Sequence, residues 1–437
     1  MTSEKKSKFK IPDQGSEDRQ YAVPLRVAVA GSVDAGKSSF LGVLKSGEYD
    51  DGAGKARAHI FNYPHEIKTG RTSSVAQRSM MVENKKIIFF DLAGHEKYLR
   101  TTLYGMSSSY PHIALVLVEA NRGVTKMTKE HIITCLYLRV PFAFVVTKLD
   151  IAQPHLLKKT VNMIKKLMKG QHKRVWDIKK QDDVTFAVQK LNANFIPLFR
   201  ISNVCGDNYD PPFHYVPDYL HALNVNTDEL DDTDEKESVF VIDKSFRAEG
   251  FPLIGSGYMR RGRIEVGQKG LYMGPFNGKL VPVSIRSMHD DNQTNVRFLR
   301  KNEMGCMSFK VKDDLITNKR QIHAGMIVTN NPNLKFHRRF IGRVEIFTTH
   351  HTTIKRRTNS VIHCGMVRKA VVIDDIYRVD QQEKDAPVQK LNCIRGGDHD
   401  VMIKFRFLQG VNFLEAGDLF MFREGKTRGS GVVTEVL

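Results

Sequence analysis

Three short runs hold the residue types that can do chemistry. Gly31-Ser32-Val33-Asp34-Ala35-Gly36-Lys37-Ser38 matches the pattern G-x-x-x-x-G-K-[ST] at every fixed position. Glycines so spaced let backbone N–H groups turn inward around phosphate oxygens. Lys37 can neutralise the β- and γ-phosphates of a nucleotide, and the Ser38 hydroxyl can ligate Mg²⁺. Asp91-Leu92-Ala93-Gly94 offers a carboxylate to hold the same Mg²⁺ through water. It also offers a glycine whose N–H can approach the γ-phosphate. Thr147-Lys148-Leu149-Asp150 ends in a carboxylate, which accepts hydrogen bonds and donates none. Guanine presents N1–H and N2–H₂ side by side and adenine has no such pair, so Asp150 favours a guanine base.

These runs work only if secondary structure places them together. Residues 25–30 (LRVAVA) read as a buried strand ending at Gly31, and 38–45 as the helix that follows. The helix dipole adds positive potential where the phosphates would lie. Residues 86–90 form a second strand ending at Asp91, and 142–147 a strand ending at Thr147. Residues 113–119 and 195–201 read as two more, with helices over 125–138 and 156–170. Strands alternating with helices predict a mainly parallel α/β sheet.

The pattern changes after an acidic run at 228–237, read as an exposed linker. Short strands divided by Gly, Asp and Asn then predict all-β barrels. The expected fold is an α/β P-loop domain followed by two all-β barrel domains. The expected boundaries are a flexible tail over 1–20, a nucleotide domain over 21–235, and barrels over 236–335 and 336–437.

Composition is consistent with this and excludes some alternatives. A chain of 437 residues suggests about three domains. With 41% hydrophobic residues, wholesale disorder is excluded. No apolar stretch approaches a membrane span, and residues 1–10 lack the apolar core of a secretory signal. Five scattered cysteines argue for a reducing compartment, so a cytoplasmic location and no membrane are expected. The net charge of +19 permits nucleic acid, anionic membrane or acidic protein as partner and chooses none.

The three runs resemble those of GTPases, and more narrowly the translational GTPases. Asp34 inside the phosphate loop and His95 directly after Gly94 carry the narrower likeness. Elongation factor Tu and its relatives have G-H-V-D-x-G-K-[ST] and D-x-x-G-H at these places. The chain is also similar to the eukaryotic branch called GTP-binding proteins one and two, in 65–74 (HEIKTGRTSS), Ser202-Asn203-Val204, His363-Cys364-Gly365 and 422–427 (FREGKT). The resemblance runs from about residue 25 to the end of the chain.

The resemblance implies GTP hydrolysis to GDP and phosphate, with the output carried as a change of shape. It implies that Gly31, Asp34, Ala35, Gly36, Lys37, Ser38, Ser39, Gly94, Thr147, Lys148, Asp150, Ser202 and Asn203 bind nucleotide. Ser38, Thr72 and Asp91 would hold Mg²⁺, and Lys37, Thr72 and His95 would serve catalysis. Thr72 resembles the first-switch threonine, and His95 the histidine that orients the attacking water. Asp34 resembles an acid that binds a monovalent cation beside the phosphates; the alternative is a side chain turned to solvent. Two departures stand out. Thr147 replaces the usual Asn, which predicts weaker nucleotide affinity with specificity kept by Asp150. Ser32 replaces the usual His, whose loss should not touch phosphate chemistry. In the base-edge loop Asn203 stands in place of the usual Ala.

In this family the two barrels grip aminoacyl-tRNA, so tRNA or the ribosome is the partner implied, with the protein acting as a monomer. Basic residues cluster in two places. Lys158, Lys159, Lys165, Lys166, Lys169, Lys173 and Arg174 fall on one helix and its exit. A second crowd lies between Lys335 and Lys369, where Glu345 is the only acid. Both fit salt-sensitive contact with RNA phosphates, or a solvated basic face. Phe336, His337 and Phe340 lie among these charges and suit base stacking or core packing. Two other readings are an RNA-binding surveillance or decay adaptor gated by GTP, and a regulatory GTPase of a metabolic enzyme.

Overall fold

The computed structural model describes residues 24–60, 76–82, 85–191, 194–208, 211–223, 236–248, 251–290, 294–311, 321–346, 353–379, 387–396, 398, 401–424 and 427–437. The expected tail, Thr72 with its surrounding run, and all but the last two residues of the acidic run fall outside these.

Strand β1 (Leu25–Gly31) is buried at all seven positions. Such a run suits the centre of a sheet covered on both faces. It pairs in parallel with β3 (Lys85–Asp91) and β4 (Ile113–Glu119). With β2 (Ala76–Val82), β5 (Phe142–Thr147), β6 (Arg174–Asp177) and β7 (Phe195–Arg200) the order is β2-β3-β1-β4-β5-β7-β6. Only β2, at one edge, runs antiparallel. Alternate β1 side chains enter opposite cores. Val27 and Val29 pack beneath α1 (Lys37–Ser46), α6 (Gln181–Gln189) and α7 (Tyr215–Ala222). Ala28 and Ala30 pack against α3 (Leu99–Ser108), α4 (Lys126–Tyr137) and α5 (Pro154–Lys169). A short α2 (Lys55–Ala58) lies against α1.

The parallel arrangement sets the place of the chemistry. β1 ends at Gly31, β3 at Asp91 and β5 at Thr147, with Val29 opposite Asp91 and Glu119 opposite Thr147. All three runs therefore emerge on one edge of the sheet, the edge where open α/β folds bind ligands.

The remaining chain forms two closed six-stranded barrels. The first comprises β8 (Val239–Ala248), β9 (Phe251–Arg261), β10 (Leu271–Phe276), β11 (Lys279–Asp290), β12 (Met304–Val311) and β13 (Ile327–Thr329). Its ring runs β10-β13-β8-β9-β12-β11 and back to β10. The second comprises β14 (Arg339–Ile346), β15 (Asn359–Cys364), β16 (Val367–Val379), β17 (Val401–Phe407), β18 (Leu419–Glu424) and β19 (Thr427–Val436). Its ring runs β15-β18-β19-β14-β17-β16 and back to β15. Closure removes the sheet edges that invite aggregation. Phe340, Phe405, Phe407, Phe420 and Phe422 fill this second barrel, with Phe340 and Phe405 stacked 5.0 Å apart. Phe340 is thus core, not a stacking platform for bases, and Phe336 packs at the seam between the barrels.

α3 joins the three units. The Tyr104 hydroxyl donates to the Asp243 carboxylate in the first barrel. Ser107 Oγ donates to Gly365 O in the second at 3.1 Å. Arg26, on β1 and 2% exposed, donates from Nε to Tyr110 O at 2.8 Å and from Nη1 to Asn302 O at 2.6 Å. A buried guanidinium so satisfied ties the strand that leads into the phosphate loop to the first barrel.

The crowding of basic residues along 335–369 is partly an effect of reading the chain in one dimension. Asp374 and Asp375, from β16, pair with two of them, Arg339 and Arg356, and are shared with Arg406 and Lys390. Arg339 and Arg406 lie 3.5 and 3.1 Å from Asp374, and Arg356 lies 2.6 Å from Asp375. On α5, by contrast, Lys158, Lys159, Lys165, Lys166 and Lys169 are exposed, and the helix holds no acid. Among the described residues no helix is long and apolar enough to cross a membrane.

Candidate nucleotide site

The phosphate loop needs backbone conformations that glycine supplies. Gly36 has φ 80° and caps α1, while Asp34 takes φ 63° between them. A Cβ added at Gly31 would lie 2.6 Å from Leu117 O, so this close approach requires glycine. Ala35 is buried, and Ser38 and Ser39 are half-buried on the first turn of α1. Lys37 is 7% exposed, and its Nζ donates to Gly31 O at 3.0 Å and Ser32 O at 2.9 Å. Burial lowers its pKa; Asp91 and then Asp34 act in the opposite direction.

The Asp91–Gly94 turn packs onto this loop. Leu92 N donates to Val29 O at 3.0 Å, and Thr102 Oγ1 on α3 donates to Ala93 O at 2.7 Å. A Cβ added at Gly94 would lie 2.6 Å from Lys37 Nζ and 2.7 Å from Gly31 O. Asp91 is buried at 1% exposure. Ser38 and Asp91 are hard oxygen donors, a set that suits Mg²⁺ with its remaining ligands from phosphate and water. Among the described residues no cluster of three or more His, Cys, Asp or Glu offers a different kind of metal site.

His95 stands outside this packing. Its ring is exposed, and Nδ1 accepts from Lys97 N at 3.1 Å. In the neutral imidazole that acceptor leaves the proton on Nε2, which is then a donor.

The base-reading residues come from two loops. Lys148 takes φ 62°, and Asp150 Oδ1 accepts from Ser202 Oγ at 2.7 Å. Ser202 is fully buried, and its Oγ accepts from Val204 N and Cys205 N at 3.2 and 3.0 Å. Thr147, also fully buried, donates from Oγ1 to Ala35 O at 2.9 Å. The shorter hydroxyl therefore still ties β5 to the phosphate loop. Asn203 Nδ2 reaches the same loop, donating to Gly36 O at 3.4 Å.

A chain of ion pairs crosses the mouth of the site. Glu119, 8% exposed at its side chain, lies 3.4 Å from Lys148 Nζ and 3.6 Å from Arg122 Nε. Arg122 lies 3.8 Å from Asp34 Oδ2, and both of those side chains are more than half exposed. Asp34 is thus turned to solvent and towards Arg122. Glu119 and Arg122 were not anticipated. The available signal was Glu119 itself, an acid ending an apolar strand as Asp91 does.

Comparison with known proteins shows the family and the fold. The family profile of the elongation factor Tu GTP binding domain matches residues 24–237. GTP-binding protein 1 of Xenopus laevis is 32% identical over 443 residues, covering 94% of this chain and 63% of that protein. GTP-binding protein 2 of Homo sapiens is 32% identical over 451 residues, covering 96% of this chain and 70% of that protein. The chain therefore spans about two thirds of the length of these relatives. The crystal structure of translation elongation factor SelB from Methanococcus maripaludis, in complex with the GTP analogue GppNHp, superposes with a TM-score of 0.66. Its identity is 19%, with 95% of this chain and 79% of that one covered, so this likeness speaks to fold. The chain belongs to the translational GTPase family, together with GTP-binding proteins 1 and 2.

Proposed function

We propose that this protein binds GTP and Mg²⁺ at the edge formed by β1, β3 and β5, hydrolyses GTP to GDP and phosphate, and uses the change to alter its contacts with tRNA or the ribosome. The observation that supports this best is the meeting of three loops, through Gly94 against Lys37, Thr147 on Ala35 O and Ser202 on Asp150. In this reading the three units span 21–235, 236–335 and 336–437, and the protein works as a cytoplasmic monomer without membrane contact.

The chemistry is positioning plus electrostatic stabilisation. Lys37 exchanges Gly31 O and Ser32 O for phosphate oxygens. Its ammonium is already desolvated, which strengthens that interaction. Ser38, Asp91 and Thr72 would hold Mg²⁺, whose charge would offset that of the phosphate oxygens. His95, with Nε2–H as donor, orients the attacking water rather than removing its proton. Asp34, turned to solvent and 3.8 Å from Arg122, would have to leave that pair to bind a monovalent cation beside the phosphates.

The route from site to output is short. Gly94 leads through His95 into α3, and α3 carries Tyr104 and Ser107 to the two barrels. A γ-phosphate held at Gly94 N–H thus biases a helix that touches both. The exposed lysines of α5 are a candidate surface for RNA phosphates. The test is GTP turnover with and without ribosomes, for the parent chain and for His95→Ala. Ribosomes should accelerate the parent, and the variant should keep GTP binding and lose the acceleration. Turnover indifferent to ribosomes refutes this partner, and salt-dependent capture of tRNA then becomes the test of RNA binding.

A further inference from the structure

Two departures from the family pattern, far apart in sequence, meet in the base pocket. Thr147 stands where the pattern has Asn, and Asn203 where it has Ala. A Cβ added at Gly36 would lie 3.2 Å from Asn203 Nδ2 and 3.8 Å from Thr147 Oγ1. Both polar groups therefore converge on one residue of the phosphate loop. Thr147 uses its hydroxyl on Ala35 O, and Asn203 uses Nδ2 on Gly36 O.

The Asn203 side chain is held in place from several directions. Its residue is 7% exposed, and its backbone carbonyl accepts from Asp50 N at 2.8 Å. Asp50 Oδ1 in turn accepts from Ala56 N at 2.9 Å. On the other side Ser202 is locked by its three hydrogen bonds. Asn203 Oδ1 is buried with no hydrogen-bond partner among the described residues, and an N7 contact would leave it so. What bears on the base is the donor side of the carboxamide, where Nδ2 has one protein acceptor for two N–H groups. Its orientation is set by Gly36 O, since turning the amide over would face two acceptors. One N–H of Nδ2 lies on Gly36 O, and the other is available.

Guanine makes use of such a donor. If Asp150 takes the N1–H and N2–H₂ edge, the edge that remains carries O6 and N7, which only accept. We propose that Thr147 and Asn203 act as a pair in the base pocket. Thr147 ties β5 to the phosphate loop, and Asn203 supplies the carboxamide N–H to N7 of guanine from the opposite loop. This makes Asn203 a specificity residue of the site. It rests on the reading of Asp150 as the guanine reader.

The experiment pairs a protein variant with a ligand variant. Dissociation rates are measured for GDP and for 7-deaza-GDP, which has C–H in place of N7. The parent chain should release 7-deaza-GDP about tenfold faster than GDP. Asn203→Ala should release GDP about tenfold faster than the parent, with no further loss on 7-deaza-GDP. Equal penalties for the two nucleotides would overturn the N7 contact. Thr147→Asn, made alone, crowds a second carboxamide against Gly36 and should speed GDP release. Combined with Asn203→Ala it should return the rate to within about threefold of the parent, because one carboxamide is again present. Simple multiplication of the two single effects would overturn the division of labour. Should the buried Thr147→Asn chains melt early, Asn203→Asp decides. It sets an acceptor against Gly36 O and N7, so release must be faster than for Asn203→Ala, and parent-like release refutes the proposal. Failure of the underlying pocket reading shows separately, as retained guanine preference in Asp150→Asn.

Discussion

Replacing Asp150 by Asn should transfer preference from guanine to xanthine nucleotides, and the structure says why the new amide must face the right way. Ser202 Oγ accepts from Val204 N and Cys205 N, so both its acceptor sites are used. Its one hydrogen goes to Asp150 Oδ1 at 2.7 Å. In Asp150→Asn the amide oxygen must therefore take the Oδ1 place, because NH₂ there would meet a hydroxyl with no acceptor left. The NH₂ group is then presented to the base. Xanthine carries a carbonyl at position 2 and receives it, whereas the guanine N2–H₂ meets a second donor. Hydrogen bonds to a charged group contribute about 1.5–3 kcal/mol each. Losing one, and opposing a donor with a donor, should cost GDP about 3–5 kcal/mol, or roughly 150- to 5000-fold in Kd. Calorimetric titration of parent and variant with GDP, XDP and ADP reads this directly. The double variant Asp150→Asn, Ser202→Ala removes the group that orients the amide, so its discrimination between GDP and XDP should shrink to within about tenfold. Continued guanine preference in the single variant would show that Asp150 does not read the base. Full xanthine preference in the double variant would show that Ser202 does not orient it.

Gly94→Ala should fold and bind GTP poorly, because its Cβ would lie 2.7 Å from Gly31 O, a backbone atom that cannot swing aside. Overpacking of this kind costs about 1–3 kcal/mol, so GTP affinity should fall roughly 5- to 150-fold; unchanged affinity would mean the two loops do not pack as described. Acid should also loosen the molecule. Burial, then the Arg26 charge and then Lys85, push the His112 pKa down to about 3, and burial, then Lys37, push the His131 pKa down to about 3. Below an unfolded value of about 6.5 the unfolded chain takes up protons that the folded one refuses, so stability is present above that pH and is lost as pH falls towards 3. The loss should reach about 2 kcal/mol per histidine at pH 5. Urea denaturation between pH 7 and 4.5 measures this, and His112→Asn should lower the slope of stability against pH by about one proton; a parent-like slope would remove His112 from the account.

What could be read from the chain was what the backbone decides locally. Runs such as IALVLVE at 113–119 and FAFVVT at 142–147 are apolar throughout because both faces of their strands are covered, and their limits in the structure match those expected. The helix expected over 125–138 is present as α4, with Thr125 just outside it as the cap, its side chain accepting from Thr128 N. Elements whose stability comes from distant partners escaped notice. β2 is a half-exposed edge strand with no continuous apolar run. α3 (LRTTLYGMSS) has a Gly and two adjacent Thr, poor helix formers, and is held by Leu99 and Leu103 packing against Met421 of the second barrel. β9 carries Gly255 and Gly257, which argue against a strand until β8 is in place. A Cβ at Gly257 would then lie 2.0 Å from Val241 O, so the crossing excludes any side chain.

The same division runs through the site. Gly31, Gly36, Lys37 and Gly94 are legible because conformation and spacing are local demands, and a loop that must close on phosphate has few solutions. The partners that hold the base pocket are not. Ser202 reaches Asp150 across 52 positions, Thr147 reaches Ala35 across 112, and Asn203 reaches Gly36 across 167. Read one at a time, Thr147 and Asn203 are two departures from a pattern, and the first predicts a weaker pocket. Placed together they are one arrangement, in which the short side chain leaves room on Gly36 for the longer one arriving from β7. On the proposal that Asn203 reaches N7, the weaker affinity expected from Thr147 would belong to a chain with Ala at 203. The same holds for Arg339 and Arg356, which look unopposed until β16 brings Asp374 and Asp375 beside them. α5 differs because its charge has no acid on its own helix, and its polar face is turned outward. In the second cluster Lys335, Arg338, Lys355, Arg357 and Arg368 stay exposed as well, so both clusters present charge to an anionic partner, and α5 differs in presenting it from one helix face.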